Sequence, residues 1–317
     1  MAVVAACTDK GAKRSVNQDA CCIQVAQTSF GEMIMAVVCD GVGGLSAGEL
    51  ASATVAYRFA QWFNVELPTL LAGMKAGSPL DLDTIQTVWG IMLANLNETI
   101  QAHARANKLT MGTTFTGMLF CGGRYLVAHV GDCRAYCLGS RGMRQITEDQ
   151  TLLAKKLREG TLTPQEAATY NKKHVILQSV GTEGILRPAY YTGTYTATDL
   201  FVMCCDGAYR KAENQGIDTF FASVDRTSED ELRKACQSVV AYDISHGEKD
   251  NLTVVAVCAD KQERLVQTPP EDLPTMVEAD EEDLPTMVEA GEEEDLPTMV
   301  ESSEEEDLPT MVEGDES

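Results

Sequence analysis

Acidic charge is confined to one end of this 317-residue chain, and that segregation decides how much of it can fold. From Thr268 to Ser317 there are 20 Asp and Glu residues and no Lys or Arg. The first 267 residues hold the remaining 28 of the 48 acids against 25 bases, a net of −3. The end of the chain is also a repeat. Asp-Leu-Pro-Thr-Met-Val-Glu occurs at 272–278, 283–289, 295–301 and 307–313, which spaces Thr275, Thr286, Thr298 and Thr310 by 11, 12 and 12 residues. Each copy offers only Leu, Met and Val for burial amid dense like charge, and it is shorter than a solenoid unit. The expectation is a near-neutral domain over residues 1–262 and a disordered acidic arm over 263–317.

Several classes fall away. No stretch approaches the roughly 18 consecutive apolar residues of a membrane span, so no membrane association is expected. The first residues lack the basic region of a secretory signal. The 11 Cys are an odd number, some adjacent (Cys21-Cys22, Cys204-Cys205), without paired C-x-x-C spacing. That usage suits reduced thiols and a cytoplasmic protein, not a disulfide frame or a zinc site. A near-neutral body with an acidic arm is also a poor match for nucleic acid.

Short apolar, β-rich runs recur at 2–7, 20–25, 33–39, 113–121, 125–130, 134–138, 189–197, 200–205 and 252–258, mostly bounded by Gly, Asp or Asn. Helical spacing appears at 47–63 and 82–106, with a Pro- and Gly-containing connector near 67–79, and again at 228–242. The last opens on Ser228 and Glu231, a capping-box pattern. Two short helices are expected at 151–159 and 164–170. Hairpin-linked strands with helices inserted in pairs exclude a regularly alternating parallel sheet. The fold class is therefore α+β: a layered sandwich with antiparallel sheets inside and helices outside.

The aspartates fall at the ends of these runs. Asp40 follows 33–39 and opens Asp40-Gly41-Val42-Gly43-Gly44, and Asp206 follows 200–205 and opens Asp206-Gly207. Asp132 lies between two strands in His129-Val130-Gly131-Asp132. Asp250 lies just before 252–258, and Asp19 closes Arg14-Ser15-Val16-Asn17-Gln18-Asp19. Singly, an Asp-Gly after a strand is an ordinary turn. Together, carboxylates at strand ends can converge on one edge of a sandwich, where hard oxygen donors suit Mg²⁺ or Mn²⁺.

In this order the motifs resemble the metal-dependent serine/threonine protein phosphatases of type 2C, especially the bacterial form. The matching pieces are 14–19, 40–44, Gly112-Thr113-Thr114, 127–136, 175–181, Cys205-Asp206-Gly207 and 250–254, spread over residues 3–259. Residues 149–182, with Gly-x-x-Thr-Pro-x-Glu-Ala at 160–167, look like the family's flap. The resemblance implies a four-layer fold with two central antiparallel sheets flanked by helices, and hydrolysis of phosphoserine and phosphothreonine on proteins. It implies two or three Mn²⁺ or Mg²⁺ ions: Asp40 bridging two, the Gly41 carbonyl completing one, Asp206 and Asp250 holding the other, and Asp132 completing a weaker third site with Asp206. Asp19 is then placed to orient the attacking water and Arg14 to clamp phosphate, while no cysteine is a nucleophile.

Two departures bear on mechanism. Val42 stands where some members carry a histidine proposed as general acid, and Gln18 stands where some carry Glu. His129, inside a strand, is read as a packed residue. Cys39, Cys133 and Cys205 adjoin presumed ligands and read as small core residues. The competing reading, redox sensitivity of the site, predicts peroxide inhibition that a reductant reverses.

For the arm, four threonines amid acids suit an acid-directed kinase, and phosphothreonine could be read by a forkhead-associated partner with avidity from four copies. As a phosphatase, the chain is expected to oppose a eukaryotic-like Ser/Thr protein kinase. The competing functions are a weakly active scaffold that recruits partners through the arm, and a phosphatase of small phosphate esters.

Overall fold

The computed structural model describes residues 1–42, 47–75, 77–167 and 169–259. The acidic repeats with Thr275, Thr286, Thr298 and Thr310 lie outside the described residues, as do Gly43 and Gly44.

The run at 33–39 explains the architecture best. It becomes β3 (Gly31–Asp40), whose side chains alternate between two buried faces: Ile34, Ala36 and Val38 enter one core, while Met33, Met35, Val37 and Cys39 enter another. A strand buried on both faces needs a continuous apolar run, not an alternating one. β3 pairs with β2 (Asp19–Thr28) and β4 (Phe115–Cys121), and β5 (Arg124–Val130) and β8 (Ala189–Thr194) complete one sheet in the order β2-β3-β4-β5-β8. The other sheet contains β1 (Val3–Asp9), β10 (Leu252–Cys258), β9 (Leu200–Cys204), β6 (Arg134–Gly139) and β7 (Gly142–Gln145), in the order β1-β10-β9-β6-β7. Every pairing between these strands is antiparallel.

β7 was not expected from the sequence. Gly142-Met143-Arg144-Gln145 has one apolar side chain, and as an edge strand it buries little. A two-residue hairpin holds it to β6, with Gly139 opposite Gly142, whose φ of +91° favours glycine.

Helices cover both outer faces. α1 (Gly48–Gln61) runs through a π-helical turn (Trp62–Glu66) into α2 (Leu67–Ala72), so the connector expected near 67–79 begins only after Ala72. Pro68 does not break the chain there because it sits in the first turn of α2, where its missing N–H costs little. The Asp81 carboxylate caps α3 (Leu82–Asn107) by accepting from the Asp83 and Thr84 N–H groups at 3.1 and 3.3 Å. α1, the π-helical turn and α3 cover the β3 face through Phe59, Trp62 and Trp89, which pack with Phe115 of β4, Phe59 and Trp89 meeting edge-to-face at 5.3 Å.

The other sheet is covered by α8 (Glu229–Ser245) through Leu232, Ala235, Cys236, Val239 and Val240. Only half of its expected capping box forms. Ser228 Oγ accepts from the Glu231 N–H at 3.3 Å, but the Glu231 carboxylate accepts from the Asp225 N–H at 2.8 Å. The flap contains α4 (Leu152–Arg158) and α5 (Pro164–Ala167), and α5 does carry a full box: the Glu166 N–H donates to Thr163 Oγ1 and the Thr163 N–H to the Glu166 carboxylate. α6 (Ala212–Gln215) and α7 (Ile217–Phe221) link β9 to α8. The result is the helix–sheet–sheet–helix sandwich. No helix among the described residues is long and apolar enough to cross a membrane.

His129 is fully buried in β5, with Nδ1 2.9 Å from Thr116 Oγ1. Burial lowers its pKa to about 4, so it is packed as a neutral ring. The unfolded chain, with an ordinary value near 6.5, takes up a proton that the folded chain refuses. Stability should therefore fall as pH drops from about 6.5 towards 4. Between pH 7 and 5, wild type should lose about 2 kcal/mol more than His129→Gln in denaturant titrations; equal losses would contradict this burial cost.

Candidate active site

Strand register assembles one end of the sandwich. Asp19 at the start of β2 is paired directly with Asp40 at the end of β3. Asp132 lies just before β6, Asp206 just after β9 and Asp250 just before β10, and the antiparallel order β10-β9-β6 brings these three termini to one end of their sheet. A hydrogen bond of 2.6 Å from Thr253 Oγ1 on β10 to Asp19 Oδ2 on β2 joins the sheets there. All five aspartates read from the sequence thus meet at one edge.

The turns between them are fixed by backbone contacts. The Asp40 carbonyl accepts from the Thr114 N–H at 2.8 Å and Thr113 Oγ1 at 2.9 Å, while the Asp40 N–H donates to Thr114 Oγ1 at 2.9 Å. Thr113 in turn exchanges backbone bonds with Val180, near the end of the flap segment. These bonds explain Gly112-Thr113-Thr114 as a motif. A Cβ on Gly41 would lie 2.5 Å from the Gln18 carbonyl oxygen, and one on Gly207 2.0 Å from that of Asn251, so both positions require glycine by close approach. Gln18 braces α1: its amide donates to Glu49 at 3.0 Å, and its carbonyl accepts from Gly41 N–H and Ser52 Oγ.

The electrostatics are those of crowded like charges. The pKa of Asp40 is raised well above the ordinary value by burial and then by Asp19, Asp206, Asp132 and Asp250. Burial pushes Asp19 up to about 7 against hydrogen bonds from Thr253 and Cys205, and pushes Asp132 up to about 8, with the charges of Asp206 and Asp149 adding to it. Asp206 rises to about 6, also by burial, with Arg210 opposing. Asp19 Oδ1 and Asp132 Oδ1 are buried with no hydrogen-bond partner among the described residues. A set of hard oxygen donors with unsatisfied lone pairs and mutual repulsion fits divalent cations.

Donor atoms of Asp19, Asp40 and Cys205 lie within 4.8 Å of one another. Cys205 nonetheless differs in kind. Burial raises its thiol pKa well above the ordinary value, and it accepts from the Thr253 N–H at 3.0 Å. Cys39 and Cys133 are likewise buried and held protonated, the condition of core thiols and not of reactive ones. All 11 cysteines are free.

Arg14 reaches the edge from the β1–β2 loop, its Nη2 2.7 Å from Asp250 Oδ1. Two neighbours, Arg210 and Glu248, were not foreseen, and Asn251 was read only as part of the 250–254 motif. Arg210 pairs with Asp206 one helical turn earlier and lies 3.5 Å from both Glu248 and Asp250. Asn251 ties the loop before β2 to β10, with Oδ1 accepting from the Gln18 N–H and Nδ2 donating to the Lys10 and Val16 carbonyls. The Asp206-x-x-x-Arg210 spacing was the available signal for the first. Val42 is only partly buried, its N–H bonded to the Gly112 carbonyl.

Comparison with known proteins places the chain in a family. The family model described as protein phosphatase 2C matches residues 8–240. The serine/threonine phosphatase stp of Listeria monocytogenes is 28% identical over 257 residues, covering 81% of this chain and 96% of the relative. The serine/threonine protein phosphatase PstP of Mycobacterium tuberculosis is 27% identical over 256 residues, 79% of this chain but 44% of the relative. Among solved structures, the serine/threonine phosphatase of S. agalactiae matches with a TM-score of 0.68 at 25% identity, covering 82% of this chain and all of that one. The catalytic domain of PstP in complex with 2 manganese ions matches with a TM-score of 0.62 at 26% identity, again over 82% of this chain and all of that one.

Proposed function

Because the chain belongs to the protein phosphatase 2C family and is a serine/threonine protein phosphatase, we propose that residues 1–262 form its phosphatase domain and that phosphoserine and phosphothreonine on proteins are hydrolysed at the carboxylate edge. The observation that carries the site is the meeting of Asp19, Asp40, Asp132, Asp206 and Asp250, two of them with buried, unpartnered oxygens. Asp40 would serve two Mn²⁺ or Mg²⁺ ions, one together with the Gly41 carbonyl and the other together with Asp206 and Asp250, and Asp132 with Asp206 would hold a third. Ions held there would offset phosphoryl charge and make water a usable nucleophile at neutral pH.

The chain's own groups supply the rest. Asp19, held through Oδ2 by Thr253, keeps Oδ1 free to orient the attacking water and take its proton. Arg14, with a side chain 38% exposed, can turn from Asp250 to present two N–H donors to phosphate oxygens. Val42 has no proton to give, so the leaving oxygen would take its proton from water or from another residue at this edge.

With Mn²⁺ the full chain should release phosphate from a phosphothreonine peptide, and chelator should stop the release. Turnover that survives chelation would overturn the metal assignment. Arg14→Ala should lower kcat/KM about a hundredfold, with much of the loss in KM. A variant within twofold of wild type would remove Arg14 from phosphate binding.

The repeats motivate a wider reading. Four acid-flanked threonines on an arm over 263–317 would be phosphorylated by a cytoplasmic Ser/Thr kinase that this enzyme opposes, and then bound by a forkhead-associated partner. Mass spectrometry of protein co-expressed with that kinase should find phosphate on Thr275, Thr286, Thr298 and Thr310; its absence would end this reading. A weakly active scaffold remains the alternative if the chain recruits such a partner without measurable turnover.

A further inference from the structure

Two grooves flank the carboxylate edge. One, of about 420 Å³, has Asp132 in its wall beside the flap and is also lined by Lys173 and Lys211. The other, of about 530 Å³, has Arg14 and Asp250 in its wall and is also lined by Lys13, Lys211 and Lys249. Arg210 and His174 line both.

The charge balance around these grooves is uneven. Outside the aspartate cluster, the acids that line them already have cations: Asp149 and Glu213 lie 2.8 and 2.9 Å from Arg134, and Glu248 3.5 Å from Arg210. The lysines are not paired in this way, although the charge of Lys211 is felt by the nearby Asp243 carboxylate. Among the described residues, no carboxylate lies within ion-pair distance of Lys13, Lys173, Lys211 or Lys249. Lys13, Lys173 and Lys249 are exposed and Lys211 is half-buried. Four lysines without a carboxylate in ion-pair reach therefore line the two grooves beside a site set in a domain that is otherwise slightly acidic. Such a collar attracts anionic ligands and suits carboxylates on a flexible peptide.

We propose that this collar selects phosphothreonine flanked by carboxylates on both sides, a specificity that rests on the phosphatase reading above. The chain's own repeat has this pattern four times: Asp272 and Glu271 lie three and four residues before Thr275, and Glu278 lies three after it. Carboxylates before and after the phosphothreonine would each meet unpaired lysines, while the phosphate faces Arg14 and the aspartate edge.

The test compares three substrates of the full chain with Mn²⁺: a phosphothreonine peptide of sequence Glu-Asp-Leu-Pro-pThr-Met-Val-Glu, the same peptide with Gln and Asn for its acids, and an aryl phosphate. At low salt, wild type should favour the acidic over the amide peptide by about tenfold in kcat/KM, a preference that shrinks in 0.5 M salt. A variant combining Lys173→Glu and Lys249→Glu should lose or invert that ratio, which is internal to each enzyme and so insensitive to the fraction folded. Equal turnover of the two peptides by wild type, or an unchanged ratio in the variant, would overturn the proposal and leave the phosphatase reading standing. Hydrolysis of the aryl phosphate alone would overturn it too. Silence on all three substrates would overturn the phosphatase reading itself.

Discussion

Asp40→Asn should abolish phosphate release, lowering kcat/KM by about a thousandfold or more, while raising the melting temperature of the chelated protein. The two effects have one cause. Asp40 is paired directly with Asp19, and its ionised form is disfavoured by burial and by the charges of Asp19, Asp206, Asp132 and Asp250. An amide of the same shape removes that repulsion and keeps the backbone bonds to Thr113 and Thr114, which do not involve the side chain. Relief of this kind is typically worth about 1 to 2 kcal/mol, or a few degrees in a domain of this size. The same change removes the carboxylate on which two of the three proposed ions depend, and with those ions the positive charge that would offset the phosphoryl group. Mn²⁺ should accordingly raise the melting temperature of wild type and hardly affect the variant. Wild-type turnover, or a lower melting temperature in chelator, would contradict this account.

The legible and illegible parts of the chain divide along physical lines. The run at 33–39 announced β3 because a strand buried on both faces must be apolar throughout, and Asp40 stood out as the first charge after it. Asp206 after β9 and Asp250 before β10 were visible for the same reason. Register was not visible. That Asp19 faces Asp40 follows from ten paired positions between β2 and β3, and a pattern of period two fixes the face of a strand but not its partner. β7 escaped because an edge hairpin needs no apolar run, and α2 because Pro68 reads as a breaker unless the helix entry is known to lie just before it. Arg210 and Glu248 escaped because their role at this edge comes from charge balance with Asp206 and Asp250, which exists only once the two loops meet. The unpaired lysines of the two grooves belong to the same class: nothing marks a lysine as unpartnered until its surroundings are known.

In chelator, the protein should lose stability as pH rises from 6.5 to 8, and Asp132→Asn should flatten that decline by about 1 to 2 kcal/mol. Asp206, Asp19 and Asp132 are pushed up to about 6, 7 and 8, each by burial first. Their pKa values in the unfolded chain lie near the ordinary carboxylate value, so in this window the unfolded state has already released protons that the folded state still holds. A group whose folded pKa is raised contributes stability that is complete at low pH and is lost as pH climbs to the folded value, at up to about 1.4 kcal/mol per pH unit for each proton. His129 has the opposite sign, but its effect lies below about pH 6.5 and leaves this window to the carboxylates. Saturating Mn²⁺ should remove most of the slope, since cations bind the ionised form and supply the charge that burial withholds. A chelated wild type whose stability stays level or rises between pH 6.5 and 8 would sink the assignment of these carboxylates as an uncompensated cluster. If the decline is found and Mn²⁺ cancels it, the repulsion that destabilises this edge by itself is also what makes it bind ions, and the instability is inseparable from the activity.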